Sequence, residues 1–136
     1  MKQFIQNVPD FPREGINFKD VSPLLKDAAA FATAVSLMAR AVDAEEIDYV
    51  AGIEARGFIF GSALANALNL GFIAIRKAGK LPGEIIAQSY NLEYGESSLE
   101  MQRDAVPKGS NVLIVDDVLA TGGTAKSAAK LVERLG

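Results

Sequence analysis

Two adjacent carboxylates, Asp116 and Asp117, end the apolar run Val112–Val115, and the residues Ala120, Thr121, Gly122, Gly123 and Thr124 follow shortly after. Neighbouring carboxylates repel each other, so a metal, hydroxyl groups or cations must offset that cost. The glycine pair lets backbone amides turn toward a ligand, and Thr121 and Thr124 add hydroxyl donors. A helix starting there would add its dipole, so residues 120–124 read as a phosphate cradle. Neither G-x-x-x-x-G-K-[ST] nor G-x-G-x-x-G occurs in the chain, so this is neither a Walker A loop nor a dinucleotide fingerprint. Plainer readings are a tight strand-to-helix turn beside a solvated or capping acid pair, or a Walker-B-type metal site lacking its partner. Paired carboxylates beside a phosphate cradle suit a ligand with a phosphate at one end and vicinal hydroxyls a sugar's width away. Ribose 5-phosphate has that layout.

The composition narrows the chemistry. The chain has 136 residues, 49% hydrophobic and 23% charged, enough for about one domain with a core. A net charge of −3 argues against general nucleic-acid or membrane-surface binding. No apolar run approaches the roughly 20 residues that cross a bilayer, and the N-terminus lacks a signal-peptide core. With no cysteine and no histidine, Ser-His and Cys-His nucleophiles and imidazole or thiolate metal sites are excluded. A cytoplasmic location fits this. Any metal is a hard ion on oxygen ligands, magnesium first, and proton transfer falls to carboxylate, lysine or tyrosine.

The elements that must hold these residues follow from periodicity. Residues 7–25, rich in proline, read as ordered but irregular. Asp27 is placed to cap a helix running to about Val42, with Phe31, Val35, Met38, Ala39 and Val42 on one face. Residues 49–53 form a buried strand, 54–57 a polar loop, and 58–70 a helix with Phe60, Leu64, Ala67 and Leu68 inward and Gly71 closing it. A strand at 72–75, loop chemistry at 77–83 and a hairpin-like excursion around residues 93–95 come next. The strand at 111–117 and a helix with Ala128, Leu131, Val132 and Leu135 inward complete the order. This predicts an α/β fold, a parallel sheet flanked by helices on both faces. The loops at 54–57, 76–83 and 116–124 leave the carboxyl edge of that sheet together, where such folds bind ligands.

The stretch VLIVDDVLATGGTA resembles the signature by which type I phosphoribosyltransferases bind phosphoribosyl diphosphate (PRPP). VPDFPREGINFKDVSPLLKD, YVAGIEARGFIFGSALA, AIRKAGKLPGE and SYNLEYGESSLEMQRDAV resemble, in order and over nearly the whole chain, the adenine-specific family within that group. The resemblance implies one phosphoribosyltransferase domain over residues 1–136, lacking a C-terminal strand. It has a small N-terminal hood at 1–26 and a mobile hairpin flap at 80–105. It implies a purine-salvage enzyme that joins adenine and PRPP to give AMP and pyrophosphate. Asp116 and Asp117 would meet the ribose hydroxyls, and Ala120, Thr121, Gly122, Gly123 and Thr124 the 5-phosphate. Glu54, Ala55, Arg56 and Gly57 would lie on the pyrophosphate, with a cis peptide at Glu54-Ala55 and added charge from Arg76, Lys77 and Lys80. Glu93 would handle the adenine ring proton and Tyr94 position sugar and base. Phe18 would stack on adenine, with the backbone of Asn17 and Lys19 reading its edge. Mg²⁺ would be held mainly by PRPP near Asp116 and Asp117 rather than by a protein metal site. A homodimer is implied, and neither nucleic acid nor membrane is a partner. The other readings are a relative specific for another base, which the FPREGINFKDVSP segment disfavours, and a non-catalytic nucleotide-sensing regulator. The regulator would need a basic face or an added binding segment, which the sequence does not show.

Overall fold

The computed structural model describes residues 1–92 and 95–136. They form two compact units, Met1–Ala41 and Val42–Gly136.

In the first unit, strands β1 (Gln6–Val8) and β2 (Phe18–Asp20) pair antiparallel, with Val8 opposite Phe18. The Asp10 carboxylate accepts the Gly15 N–H at 2.8 Å and tightens the connection between them. The Phe11–Pro12 peptide within it is cis. The Asp20 carboxylate accepts the N–H and hydroxyl of Ser22 at 2.9 and 2.6 Å, just ahead of helix α1 (Ser22–Lys26). Pro23 suits that first turn because an N–H there would have no helical partner. Helix α2 (Ala28–Arg40) begins at Asp27, whose side chain accepts the Ala30 N–H at 2.8 Å. Its buried stripe is Ala30, Ala34 and Val35. Residues 7–25 therefore hold a ribbon and a short helix where the sequence predicts irregular chain. Three-residue strands are too short to display alternation.

In the second unit, strands β3 (Tyr49–Ile53), β4 (Gly71–Lys77) and β7 (Val112–Val115) run parallel, with β3 between the other two. Strands β5 (Ile85–Asn91) and β6 (Glu96–Gln102) form an antiparallel hairpin, and β6 pairs antiparallel with the end of β4. The sheet order is β5-β6-β4-β3-β7, so the sheet is mixed, parallel at one side and antiparallel at the other. Helices α3 (Arg56–Leu68) and α4 (Gly123–Leu135) pack against it. Successive side chains of a strand point to opposite faces. Ala51, Ile53, Ile73 and Ile75 thus join Ile86, Leu99 and Met101 beneath Ala128 and Leu131 of α4 in one core cluster. Gly52 lies on the opposite side, close to α3 at Gly57 and Gly61.

Several boundaries move. Helix α3 already begins at Arg56, so the polar loop after β3 is Glu54 and Ala55 alone. It ends with Asn69 in the left-handed region at φ 56°, a conformation asparagine tolerates, and Gly71 instead starts β4. Ala67 is exposed and Ala65 takes the inward place, because the buried stripe runs Gly57, Phe60, Gly61, Leu64, Ala65. Strand β4 extends to Lys77 because β6 continues its pairing, with Arg76 opposite Glu100 and Lys77 opposite Leu99.

Leu131 is fully buried in the α4 cluster. Leu131→Ala will lower the unfolding free energy by about 2–5 kcal/mol, read from urea denaturation, through lost burial and the cavity left behind.

Candidate active site

The site lies where β3, β4 and β7 end together. The register Gly52↔Val115 between β3 and β7 puts the residues after each strand side by side. Glu54, Ala55, Arg56, Lys77, Asp116, Asp117 and Thr124 converge on one cavity of about 340 Å³, with Ile53, Tyr90, Leu99 and Val118 completing its wall.

The two aspartates sit in unlike surroundings. The Asp117 side chain is only 6% exposed, and its Oδ2 lies 2.8 Å from Arg56 Nε. That contact is a charge pairing with poor hydrogen-bond geometry, since the buried Oδ2 accepts no hydrogen bond among the described residues. Asp116 Oδ1 accepts the Asp117 N–H at 2.9 Å. Lost hydration pushes the Asp116 carboxyl up to about 6, helped by the neighbouring Asp117 charge and opposed by the Asp117 N–H and Arg56. Asp116 as a residue remains open to solvent, so the crowding is local to its carboxyl. Gly57 explains part of it. A Cβ there would lie 2.8 Å from the Val115 carbonyl oxygen and 3.1 Å from Asp116 Oδ1, so only glycine lets α3 start this close to the end of β7.

Glu54 is the second charged centre. Its Oε2 accepts the Lys77 N–H at 3.0 Å and faces Arg76 Nε at 3.3 Å, while Oε1 takes the Lys80 ammonium. Its side chain is 9% exposed. The Lys80 hydrogen bond, followed by the Lys77 N–H and Arg76, holds this carboxyl down at about 2 against the opposing pull of burial. Arg76 is engaged further, with Nη1 donating to the Lys80 carbonyl at 3.3 Å and Cζ 5.8 Å from the centroid of the Phe58 ring. The Glu54-Ala55 peptide is cis, as the resemblance implies.

Residues 120–124 lead into α4. Gly122 takes φ 82° at the N-cap, and Gly123 and Thr124 open the helix with no side-chain cap on its amides. The Thr121 hydroxyl faces the Gly123 N–H at a loose 3.5 Å. Tyr90 packs beside this turn, its ring 3.9 Å from where a Gly123 Cβ would stand. Arg76 and Lys80 reach the site only through Glu54 and are not among the cavity's lining residues. In the first unit Phe18 meets Phe11 edge-to-face at 5.2 Å, Lys19 donates to the Asn7 side chain, and Asn17 is exposed just ahead of β2. Glu93 and Tyr94 lie outside the described residues. Sequence reasoning missed Tyr90, Val118 and Leu99 as wall residues. The alternation of β5 and β6 carried that signal for Tyr90 and Leu99 once their register was known, whereas Val118 follows β7 outside any strand.

The cavity's chemistry fits a divalent ion only as a shared guest. The buried Asp117 Oδ2 and the Asp116 carboxyl are hard oxygen donors, but no group of three or more acidic side chains capable of holding a metal occurs among the described residues. Other ligands would have to come from a bound diphosphate or sugar.

Comparison with known proteins identifies the family. Residues 20–136 match the Phosphoribosyl transferase domain. The adenine phosphoribosyltransferase of Halothermothrix orenii is 56% identical over 135 residues, which is 99% of this chain and 79% of that protein. The crystal structure of adenine phosphoribosyltransferase from Thermoanaerobacter pseudethanolicus aligns with a TM-score of 0.96 at 52% identity, covering 99% of this chain and 78% of that one. The enzyme from Saccharomyces cerevisiae was crystallised with D-2,5-dideoxy-2,5-imino-altritol 1,6-bisphosphate and adenine. It aligns with a TM-score of 0.95 at 45% identity, covering 98% of this chain and 78% of that one.

Two outcomes follow from the geometry. Gly57→Ala will cost about 1–3 kcal/mol in urea denaturation, because its Cβ meets backbone that cannot withdraw. Glu54, depressed from 4.5 to about 2, contributes stability that is fully present above pH 4.5 and lost as pH falls toward 2. The melting temperature of Glu54→Gln, measured over that range, will lack this part of the acid decline.

Proposed function

The chain belongs to the phosphoribosyl transferase family and within it to the adenine phosphoribosyltransferases, and from that premise we propose how its residues carry out the transfer. The reaction joins adenine to the phosphoribosyl group of PRPP, releasing pyrophosphate and forming AMP, a step of purine salvage. The observation that carries the reading is the single cavity in which a carboxylate pair, an arginine, a lysine and the opening of α4 meet.

The 5-phosphate rests on the first amides of α4 with the Thr121 and Thr124 hydroxyls, where unpaired N–H groups and the helix dipole favour an anion. Asp116 and Asp117 accept hydrogen bonds from the ribose hydroxyls. Donors of this kind suit the Asp117 Oδ2, whose burial is otherwise uncompensated by a hydrogen bond. Arg56 and Lys77 draw charge from the diphosphate at the other end of the cavity. A guanidinium matches phosphate oxygens two at a time, and the charge it neutralises grows as the C1′–oxygen bond breaks. Adenine N9 then attacks the oxocarbenium-like carbon from the opposite face and inverts it. Mg²⁺ carried by PRPP near Asp116 and Asp117 would supply further neutralisation of the departing pyrophosphate.

Asn17, Phe18 and Lys19 hold adenine in the hood at residues 1–26. Glu93 takes the ring proton and Tyr94 positions sugar and base from the flap at 80–105, whose closure excludes water from the reactive carbon. No covalent nucleophile is required, in keeping with a chain without cysteine or histidine. The working form is a cytoplasmic homodimer.

The test is AMP formation from adenine, PRPP and Mg²⁺ by the purified 136-residue chain, with hypoxanthine and guanine in parallel. AMP from adenine alone is the expected result, abolished by a chelator. Product from another base, or none, counts against the assignment. Asp117→Asn will lower kcat/KM by about a hundredfold through lost positioning of the ribose.

A further inference from the structure

Glu54 has more protein partners than a substrate ligand could keep. It follows directly after β3, and its carboxylate is almost closed off by the chain around it. Each oxygen is engaged: Oε2 with the Lys77 N–H at 3.0 Å and Arg76 Nε at 3.3 Å, Oε1 with the Lys80 ammonium. The loop 76–80 is pinned at further points, since Arg76 Nη1 donates to the Lys80 carbonyl and the Gly79 N–H donates to Glu100 Oε2 at 3.0 Å. Period-two alternation along β4 gives the turn its direction. Arg76 goes to the face of Phe58 and α3, while Lys77 shares the face of Ile75 and borders the cavity.

A carboxylate is also the wrong charge for a diphosphate. We propose that Glu54 is a positioning residue whose carboxylate, by clamping the Lys77 N–H between Arg76 and Lys80, aims the Lys77 side chain at the pyrophosphate. This rests on the phosphoribosyl-transfer reading and gives Glu54 a different role from the substrate contact predicted by resemblance. Arg76 and Lys80 are braces that neutralise Glu54, and Lys77 is the cation of this loop that meets the leaving group.

The test is a double-mutant cycle with two readouts, the affinity of inorganic pyrophosphate with Mg²⁺ by calorimetry and the separate KM values for PRPP and adenine. Lys77→Met will weaken pyrophosphate binding and raise the PRPP KM by on the order of tenfold, and Glu54→Ala will reproduce most of that without moving the adenine KM. The pair Glu54→Ala with Lys77→Met will be little worse than Lys77→Met alone, because one acts through the other. Glu54→Gln keeps an oxygen for the Lys77 N–H and will stand closer to the parent than Glu54→Ala does. Should Glu54→Ala fail to fold, Glu54→Leu, which likewise leaves no acceptor for the Lys77 N–H, replaces it in the cycle. Multiplying effects in the double variant overturn the proposal, as does full pyrophosphate affinity in Glu54→Ala. A parent chain that binds no pyrophosphate overturns it too. Calorimetry needs no turnover, so coupled binding in a chain that makes no AMP would count against the transfer reaction and leave the positioning role standing.

Discussion

Like charges have to be held together at the carboxyl ends of neighbouring parallel strands, and the second unit is arranged around that cost. Asp116 and Asp117 repel each other, and the nearly buried one would be costly without a cation. Arg56 answers it because α3 begins at Arg56, with only Glu54 and Ala55 between it and the end of β3. That short connection works only if the first turn of α3 can slide against the end of β7, which Gly57 permits. The ion pair, the glycine and the β3–β7 register are one solution to one electrostatic problem.

The same edge sorts its acids by environment. Glu54 is surrounded by donors and stays ionised far into acid, whereas Asp116 loses part of its hydration beside another carboxylate and is raised to about 6. One acid therefore serves as a fixed anchor for cations. The other keeps a carboxyl whose charge its surroundings hold less firmly. The division of labour comes from what each strand end meets, not from residue type, since the chain uses carboxylates for both.

Much of this was legible beforehand. Strand β3 falls at the predicted residues, because five continuous apolar residues between polar ends leave little freedom, and the inward face of α4 follows from spacing alone. The carboxylate pair and the glycine-threonine loop announce themselves because their residue types are unusual at a strand end. The β1–β2 ribbon was hidden by its brevity. The left-handed residue closing α3 was assigned to Gly71 when Asn69 fills it, since both types tolerate that geometry. Glu54's partners were out of reach for a deeper reason. Lys77 and Lys80 stand 23 and 26 residues away and meet Glu54 only through the β3–β4 register, which no local pattern encodes.

The position of β7 has a bearing on how the molecule comes apart. It pairs with β3 in register, and the Asn111–Asp48 hydrogen bond at its entry spans 63 residues of chain. The β3-α3-β4 segment, by contrast, closes locally. Partial opening is cheapest where contacts between distant stretches of chain are lost and a long loop's entropy is released. Opening of the β3–β7 pairing would carry Asp116 and Asp117 away from Arg56 while the β3–β4 side stays packed, so the unit can lose its charge pairing well before it loses its fold.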